Sequence, residues 1–462
     1  MGKHFCWNAI GIGILLCAAA SAQTFTKLVD FNYDNGANPT YMSLVQGLDG
    51  ALYGTTTYGG IGNYGTVFKL TASGITSIHT LDLGAGGDPA GSLLLATDGN
   101  FYGTTQVGGG GVGGGGLGNV FRITPGGVLA TFFVFGMPGV GGGPYAGVIQ
   151  GTDGNFYGTT FYYGYGGGGA AFQLTPAGVE KTLHSFAFLG GPANGANPSA
   201  PLMQAGDGTL YGTTTAGGIG GQGEIYRINL AGSSKGEAQV YSFSGPDGAN
   251  PYAGLVQASD GNLYGTTYNG GANGKGTIFK LTAGTLTTLH SFNSTDGAYP
   301  YAALIQATDG NLYGTTSSGG ASGYGTVFQI TPGGMLTNLH SFDSTDGANP
   351  NGGLTQATDG NLYGVTPKGG VHNRGTIYKL SMGLGPFVTA LPTSGTAGQT
   401  IFILGTDLTN ATSVTFNGAS AAFTVVSASE ITATVPAGAS TGTIQVTGPS
   451  STLSSNVAYR VR

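Results

Sequence analysis

The sequence repeats itself seven times. A Tyr-Gly step, most often within Leu-Tyr-Gly-Thr-Thr, recurs at Tyr53, Tyr102, Tyr157, Tyr211, Tyr264, Tyr313 and Tyr363, so one unit spans about 50 residues. A unit of that length cannot bury its own apolar face. It must lean on its neighbours, and periods near 50 belong to arrays and propellers.

Each unit reads as four short strands. In the sixth, these are Ala302–Ala307, Asn311–Thr316, Gly325–Ile330 and Leu336–Phe342. An Asp-Gly pair separates the first two strands in every unit, at Asp49, Asp98, Asp153, Asp207, Asp260, Asp309 and Asp359. This pair predicts a two-residue hairpin turn. The alternative use of seven spaced aspartates, a ring of calcium ligands, is weaker because glycine follows each one.

The seventh unit stops near Met382 without a fourth strand, and Phe25–Phe31 precedes the first unit. Leu28-Val29-Asp30-Phe31 aligns with Leu339-His340-Ser341-Phe342. The expectation is an all-β fold: a seven-bladed β-propeller over residues 23–383, closed by its N-terminal strand and leaving no open edge. Met42–Val45 and its equivalents then line the central channel. The connectors between blades share one face with the Gly-Gly loops between second and third strands.

Composition agrees. With 93 glycines, 19 prolines and 7% charged residues, a helical architecture is excluded. Lys and Arg total 14 against 20 acidic residues, so no nucleic-acid partner is expected. Residues 1–22 have the form of a signal peptide, with Lys3, an apolar stretch and a cleavage site after Ala22. The expected product is secreted to the periplasm, the cell surface or the medium. It carries neither Cys6 nor Cys17, and no transmembrane anchor. Residues 384–462 lose the repeat and alternate apolar with polar over short segments, which predicts a small β-sandwich.

The repeat resembles the GloVer tandem-repeat family of secreted bacterial proteins. The resemblance is carried by Asp260-Gly261-Asn262-Leu263-Tyr264-Gly265-Thr266-Thr267, Gly276-Thr277-Ile278-Phe279-Lys280-Leu281 and Leu289-His290-Ser291-Phe292. It implies no activity. Residues 384–462 resemble an IPT/TIG immunoglobulin-like domain through Pro392-Thr393-Ser394-Gly395, Ile401–Gly405, Val414–Gly418 and Val435-Pro436. That resemblance implies a setting in surface receptors or adhesive and carbohydrate-active proteins.

Little in the sequence suggests catalysis. There are four glutamates, Glu180, Glu224, Glu237 and Glu430. His79, His184, His290 and His340 share a repeat position with Phe133, Tyr241 and Val29, which reads as packing. Asp343 with Asp346 is a weak calcium candidate, and no other cofactor is expected. Tyrosines are the richest chemistry: Tyr58, Tyr64, Tyr162, Tyr165, Tyr268 and Tyr324 fall on the predicted loop face, with Tyr41, Tyr145, Tyr252, Tyr299 and Tyr301 at the connectors. A phenol offers a stacking face and a hydroxyl with little entropy to lose. The expected function is non-enzymatic binding of extracellular polysaccharide or a surface protein. A propeller glycosidase or lyase, or a structural envelope component, are the alternatives.

Overall fold

The computed structural model describes residues 23–110, 116–136, 140–187, 194–230 and 236–462. The signal-peptide expectation for residues 1–22 lies outside the described residues, as does the centre of the Gly108–Gly116 run. The repeats form seven four-stranded antiparallel sheets. The seventh takes its outer strand from Thr24–Asp30, which pairs with Thr376–Ser381 from Thr24 opposite Ser381 to Asp30 opposite Thr376. The seam even keeps the irregularity of the other blades. Its register shifts between Lys27 and Val29, matching the shift at Val327/Phe328 in the sixth blade.

Each residue of the Leu-Tyr-Gly-Thr-Thr motif has a separate task. Leu312 is a core residue. The tyrosine hydroxyl donates to the turn aspartate in six of the seven blades, at 2.7–3.0 Å. The glycine makes room for the third-strand aromatic: a Cβ on Gly314 would lie 2.6 Å from Phe328 Cζ. The first threonine reaches the next blade, Thr159 donating to Ala200 O at 3.0 Å and Thr213 to Ala253 O at 2.9 Å. The second threonine joins its own third strand, as in Thr316 with Thr326 at 2.8 Å.

Two expectations are corrected here. The turn holds three residues, not two. Gly47 and Ala51 close it, Gly50 alone of the Asp49-Gly50 pair has positive φ, at 80°, and Asp49 instead accepts the amide of Ala51 at 3.2 Å. A three-residue loop with left-handed glycine is the next hairpin class, and it makes the aspartate a side-chain cap. The inner strands are also shorter than read: Val45–Gln46 and Ile305–Gln306 replace Met42–Val45 and Ala302–Ala307. The chain upstream of them lines the channel without pairing.

A ring of glutamines fastens blade to blade. Gln150, Gln204, Gln257, Gln306 and Gln356 each accept a turn amide of the preceding blade at 2.8–3.0 Å. Gln46 does the same for Thr358 of the seventh blade at 2.9 Å and so completes the circle. The second blade alone has Leu95 at this position, and the first has Leu48 in its turn where Thr, Ser or Gly stands elsewhere.

That break is occupied. The C-terminal sandwich is built on two four-stranded sheets, one containing Thr400–Leu404 and Glu430–Thr434, the other Ser413–Phe416 and Ile444–Thr447, with a short parallel pair of Ser394–Gly395 and Arg460–Val461 beside them. Its Leu391, Phe402 and Leu404 share one apolar cluster with Leu48, Ala51 and Leu95. Ser429 Oγ donates to Leu48 O at 2.7 Å, Thr406 bonds Thr358 at 2.9 Å, and Arg462 donates to Thr152 O at 2.7 Å. The sandwich therefore lies on the turn face, touching the seventh, first, second and third blades.

Candidate functional site: a tyrosine-lined channel mouth

The connector residues that lead into the inner strands converge on the channel axis. They enclose a cavity of ≈260 Å³ to which all seven blades contribute. Its rim carries Tyr41, Tyr145, Ser199, Tyr252, Tyr301 and Asn351, each just beyond a connector proline. Tyr301 packs against Tyr41 at 4.8 Å and stacks on Tyr252 at 4.7 Å between centroids. Tyr268, from a second-to-third-strand loop, packs edge-on to Tyr252 at 5.4 Å and stacks on Tyr299 at 5.1 Å. Tyr145 meets Tyr162 edge-on across 6.0 Å.

Two of these tyrosines occupy strained backbone. Tyr41 and Tyr299 both have φ 59°. Asn38, Asn197, Asn250 and Asn349 hold the place of Tyr299 in other blades, at φ 52–60°, where a carboxamide donates to a carbonyl of the preceding blade. Asparagine tolerates this region; a bulky side chain costs of order ~1 kcal/mol there. Tyr299 gives up that bond, receives one from Lys275 Nζ at 2.8 Å, and supplies an aromatic wall. Backbone strain of this kind clusters at functional surfaces.

Among the described residues, the cavity lining contains no acidic, basic or histidine side chain. Burial, then the neighbouring phenols, push the Tyr301 hydroxyl far above its usual range; burial and Tyr162 raise Tyr145 to about 12. At neutral pH these are protonated donors set in apolar surroundings.

Of the six nominated tyrosines, Tyr268 and Tyr162 join this group. Tyr58, Tyr64, Tyr165 and Tyr324 do not; they sit on outer loops of the same face. Tyr165 is 82% exposed, and Tyr64 and Tyr324 serve mainly through backbone carbonyls that accept Asp88 and Asn349. The connector tyrosines, more readily taken as wedges between blades, supply the site itself. The signal was their position beside the connector proline: Tyr145, Tyr252 and Tyr301 directly after it, Tyr41 two residues after it and Tyr299 just before it.

Other candidates resolve differently. Asp343 and Asp346 form a local turn: Asp346 accepts the Asp343 amide at 3.1 Å, Asp343 accepts Thr345, and His340 bonds Asp346 at 2.7 Å. His290 bonds Asp296 likewise, at 2.9 Å. The shared histidine position thus fastens the connector as well as packing. Among the described residues no group of three or more His, Cys, Asp or Glu could hold a metal ion.

The fourth blade holds an unusual carboxylate pair. Glu224 replaces the threonine of Thr326, is fully buried, and accepts Gly195 N at 2.8 Å and Gln239 Nε2 at 2.7 Å. Glu237 Oε1 is buried with no partner among the described residues, and burial, then the charge of Glu224, raise its pKa to about 7. A carboxyl raised above its unfolded value favours the folded state most when protonated. Its contribution is full below the ordinary glutamate value of 4.5 and is lost as pH rises toward about 7. Glu237→Gln is therefore expected to melt several degrees above the parent at pH 8 and together with it at pH 4. A pH-independent difference in calorimetry would contradict this assignment.

The seven sheets, the closing strand and the axial cavity define a β-propeller. The chain belongs to the family described as the Gloeobacter/Verrucomicrobia repeat, which matches residues 8–136, 110–237 and 233–426. No curated protein matches it. Among solved structures it is similar to the extracellular domain of a hybrid two-component system from B. thetaiotaomicron. That match has 10% identity and a TM-score of 0.51, and covers 77% of this chain and 39% of that one. The chain thus spans well under half of that structure, and the likeness is one of fold. It is also similar to a PQQ-bound aldose sugar dehydrogenase from Streptomyces coelicolor, at 12% identity and TM-score 0.42, covering 63% and 93% of the two chains. A protein assigned as a 6-phosphogluconolactonase from Bacteroides uniformis shows 15% identity and TM-score 0.45, with 64% and 83% covered.

Proposed function

We propose that this is a non-catalytic, extracellular binding protein whose loop face engages neutral polysaccharide at the channel mouth. The observation that carries the reading is the packed group of Tyr41, Tyr252, Tyr268, Tyr299 and Tyr301 over an uncharged cavity. Phenol faces stack on the C–H faces of sugar rings, and phenol hydroxyls bond sugar hydroxyls. The cavity is near the low end of ligand-pocket sizes, which suits one sugar unit of a longer chain. A hydrolytic reading calls for converging carboxylates, and the raised pair Glu224 and Glu237 lies within the fourth blade, outside the cavity lining. Secretion, and an IPT/TIG identity for the sandwich, belong to the same proposal.

Glycan-array binding by the full chain, followed by calorimetry, tests it. Tyr252→Ala and Tyr268→Ala should each weaken binding by about tenfold or more, the scale of an aromatic anchor. Tyr324→Ala should weaken it less. Undiminished binding in both channel-mouth variants would overturn the reading.

A further inference from the structure

A second cleft, of ≈740 Å³, lies on the opposite face, between the first and seventh blades and the C-terminal sandwich. Its charges are not all spent. In the first and fifth blades the third-strand lysine closes onto the turn aspartate: Lys69 to Asp49 at 2.6 Å and Lys280 to Asp260 at 3.0 Å. The seventh blade has the same set in Asp359, Tyr363 and Lys379. There Asp359 is bonded by Asn361 at 2.7 Å and Tyr363 at 2.8 Å, but Lys379 makes no ion pair among the described residues. The fifth blade shows that asparagine and tyrosine do not crowd the lysine out, because Asp260 accepts Asn262, Tyr264 and Lys280 together.

The facing wall holds a second unspent charge. Asp407 stands at the start of the short 3-10 turn Leu408–Asn410 with φ 57° and caps nothing with its side chain. Both Lys379 and Asp407 line the cleft. The same lining carries Gln46 and Thr406 as polar groups, the paired Asp49 and Lys69, the bonded Asp359, and Leu28, 39% exposed, as an apolar side chain.

We propose that this cleft binds a small acidic saccharide of the uronic-acid class. The carboxylate pairs with Lys379, ring hydroxyls donate to Asp407, and the ring's C–H face lies on Leu28. A bare carboxylate leaves Asp407 unused, and a neutral sugar leaves Lys379 unused. The site is independent of the channel mouth and needs both the propeller and the sandwich.

The test is titration calorimetry of the full chain with glucuronate, glucose and acetate as probes. Glucuronate should bind at least about tenfold more tightly than either of the others, the scale of a charge-assisted hydrogen bond. Lys379→Met should weaken it by a similar factor, Lys379→Arg should restore most of the binding, and Tyr252→Ala and Tyr268→Ala should leave it unchanged. Since Asp407 is exposed, Asp407→Asn offers a second variant that leaves the fold intact, with weakened glucuronate binding expected. Equal affinity for acetate, full affinity in Lys379→Met, or loss of glucuronate binding in the tyrosine variants would each overturn the proposal. The last outcome would instead place the ligand at the channel mouth.

Discussion

Deleting Thr24–Asp30 should lower the melting temperature by about 10 °C or more and raise the protein's tendency to associate. The strand contributes Phe25, which stacks on His340 at 3.7 Å and on Tyr378 at 5.3 Å. With it goes the ladder along Thr376–Ser381. Phe25 is half-buried, so its loss costs less than the about 3–5 kcal/mol of a fully buried aromatic, but the lost ladder adds to it, and in a domain of this size each kcal/mol moves the midpoint by roughly 2–4 °C. The exposed edge of Thr376–Ser381 is then a template for pairing with another chain. Differential scanning calorimetry with light scattering reads both effects. An unchanged midpoint would show that the seam does not hold the ring.

The other large effect is expected from Leu48→Thr combined with Leu95→Gln. The two substitutions give the first and second blades the residues that the other junctions use, so the propeller should remain folded and gain a glutamine fastener. The sandwich loses its apolar seat. Replacing the buried Leu95 costs about 2–5 kcal/mol and replacing the half-buried Leu48 adds to it, enough to free the sandwich on its connecting segment. Small-angle scattering should show a larger radius of gyration, and protease should cut between Ser381 and Phe387. Leu404→Asp attacks the same cluster from the other side and should act alike. A compact, protease-resistant double variant would mean that Thr358, Thr152 and their partners suffice to hold the sandwich.

The blades were legible because each motif residue does one local job. Asp309, Tyr313 and Gly314 fall within six residues of chain, so their spacing carries their chemistry. The seam at Phe25–Phe31 could be read because its pattern copies that of the other fourth strands. The turn was misjudged because Asp-Gly suits two hairpin classes, and what selects between them is the amide that Asp49 caps. The channel mouth was only half legible. Tyr252 and Tyr301 lie 49 residues apart in sequence and touch only because consecutive connectors meet on the axis. The interdomain cleft left almost no trace. It depends on a lysine that fails to pair, and Lys379 looks the same as Lys69 and Lys280 in the sequence. Leu48 and Leu95 did carry a signal, as two coincident departures from an otherwise regular repeat.

The seam also sets an order of events. Phe25 pairs with Leu380, so the two halves of one blade lie at opposite ends of some 350 residues. Every other blade is assembled from neighbouring chain, and its hairpins can form as soon as they are made. The ring cannot shut until the last repeat is present and the six before it have stacked into an arc of the right curvature. Closure is then the slowest step, because non-local pairing must overcome the entropy of joining distant segments before any contact rewards it. Until that moment the nascent protein is an open crescent with two unpaired strand edges, and its greatest vulnerability falls in that interval.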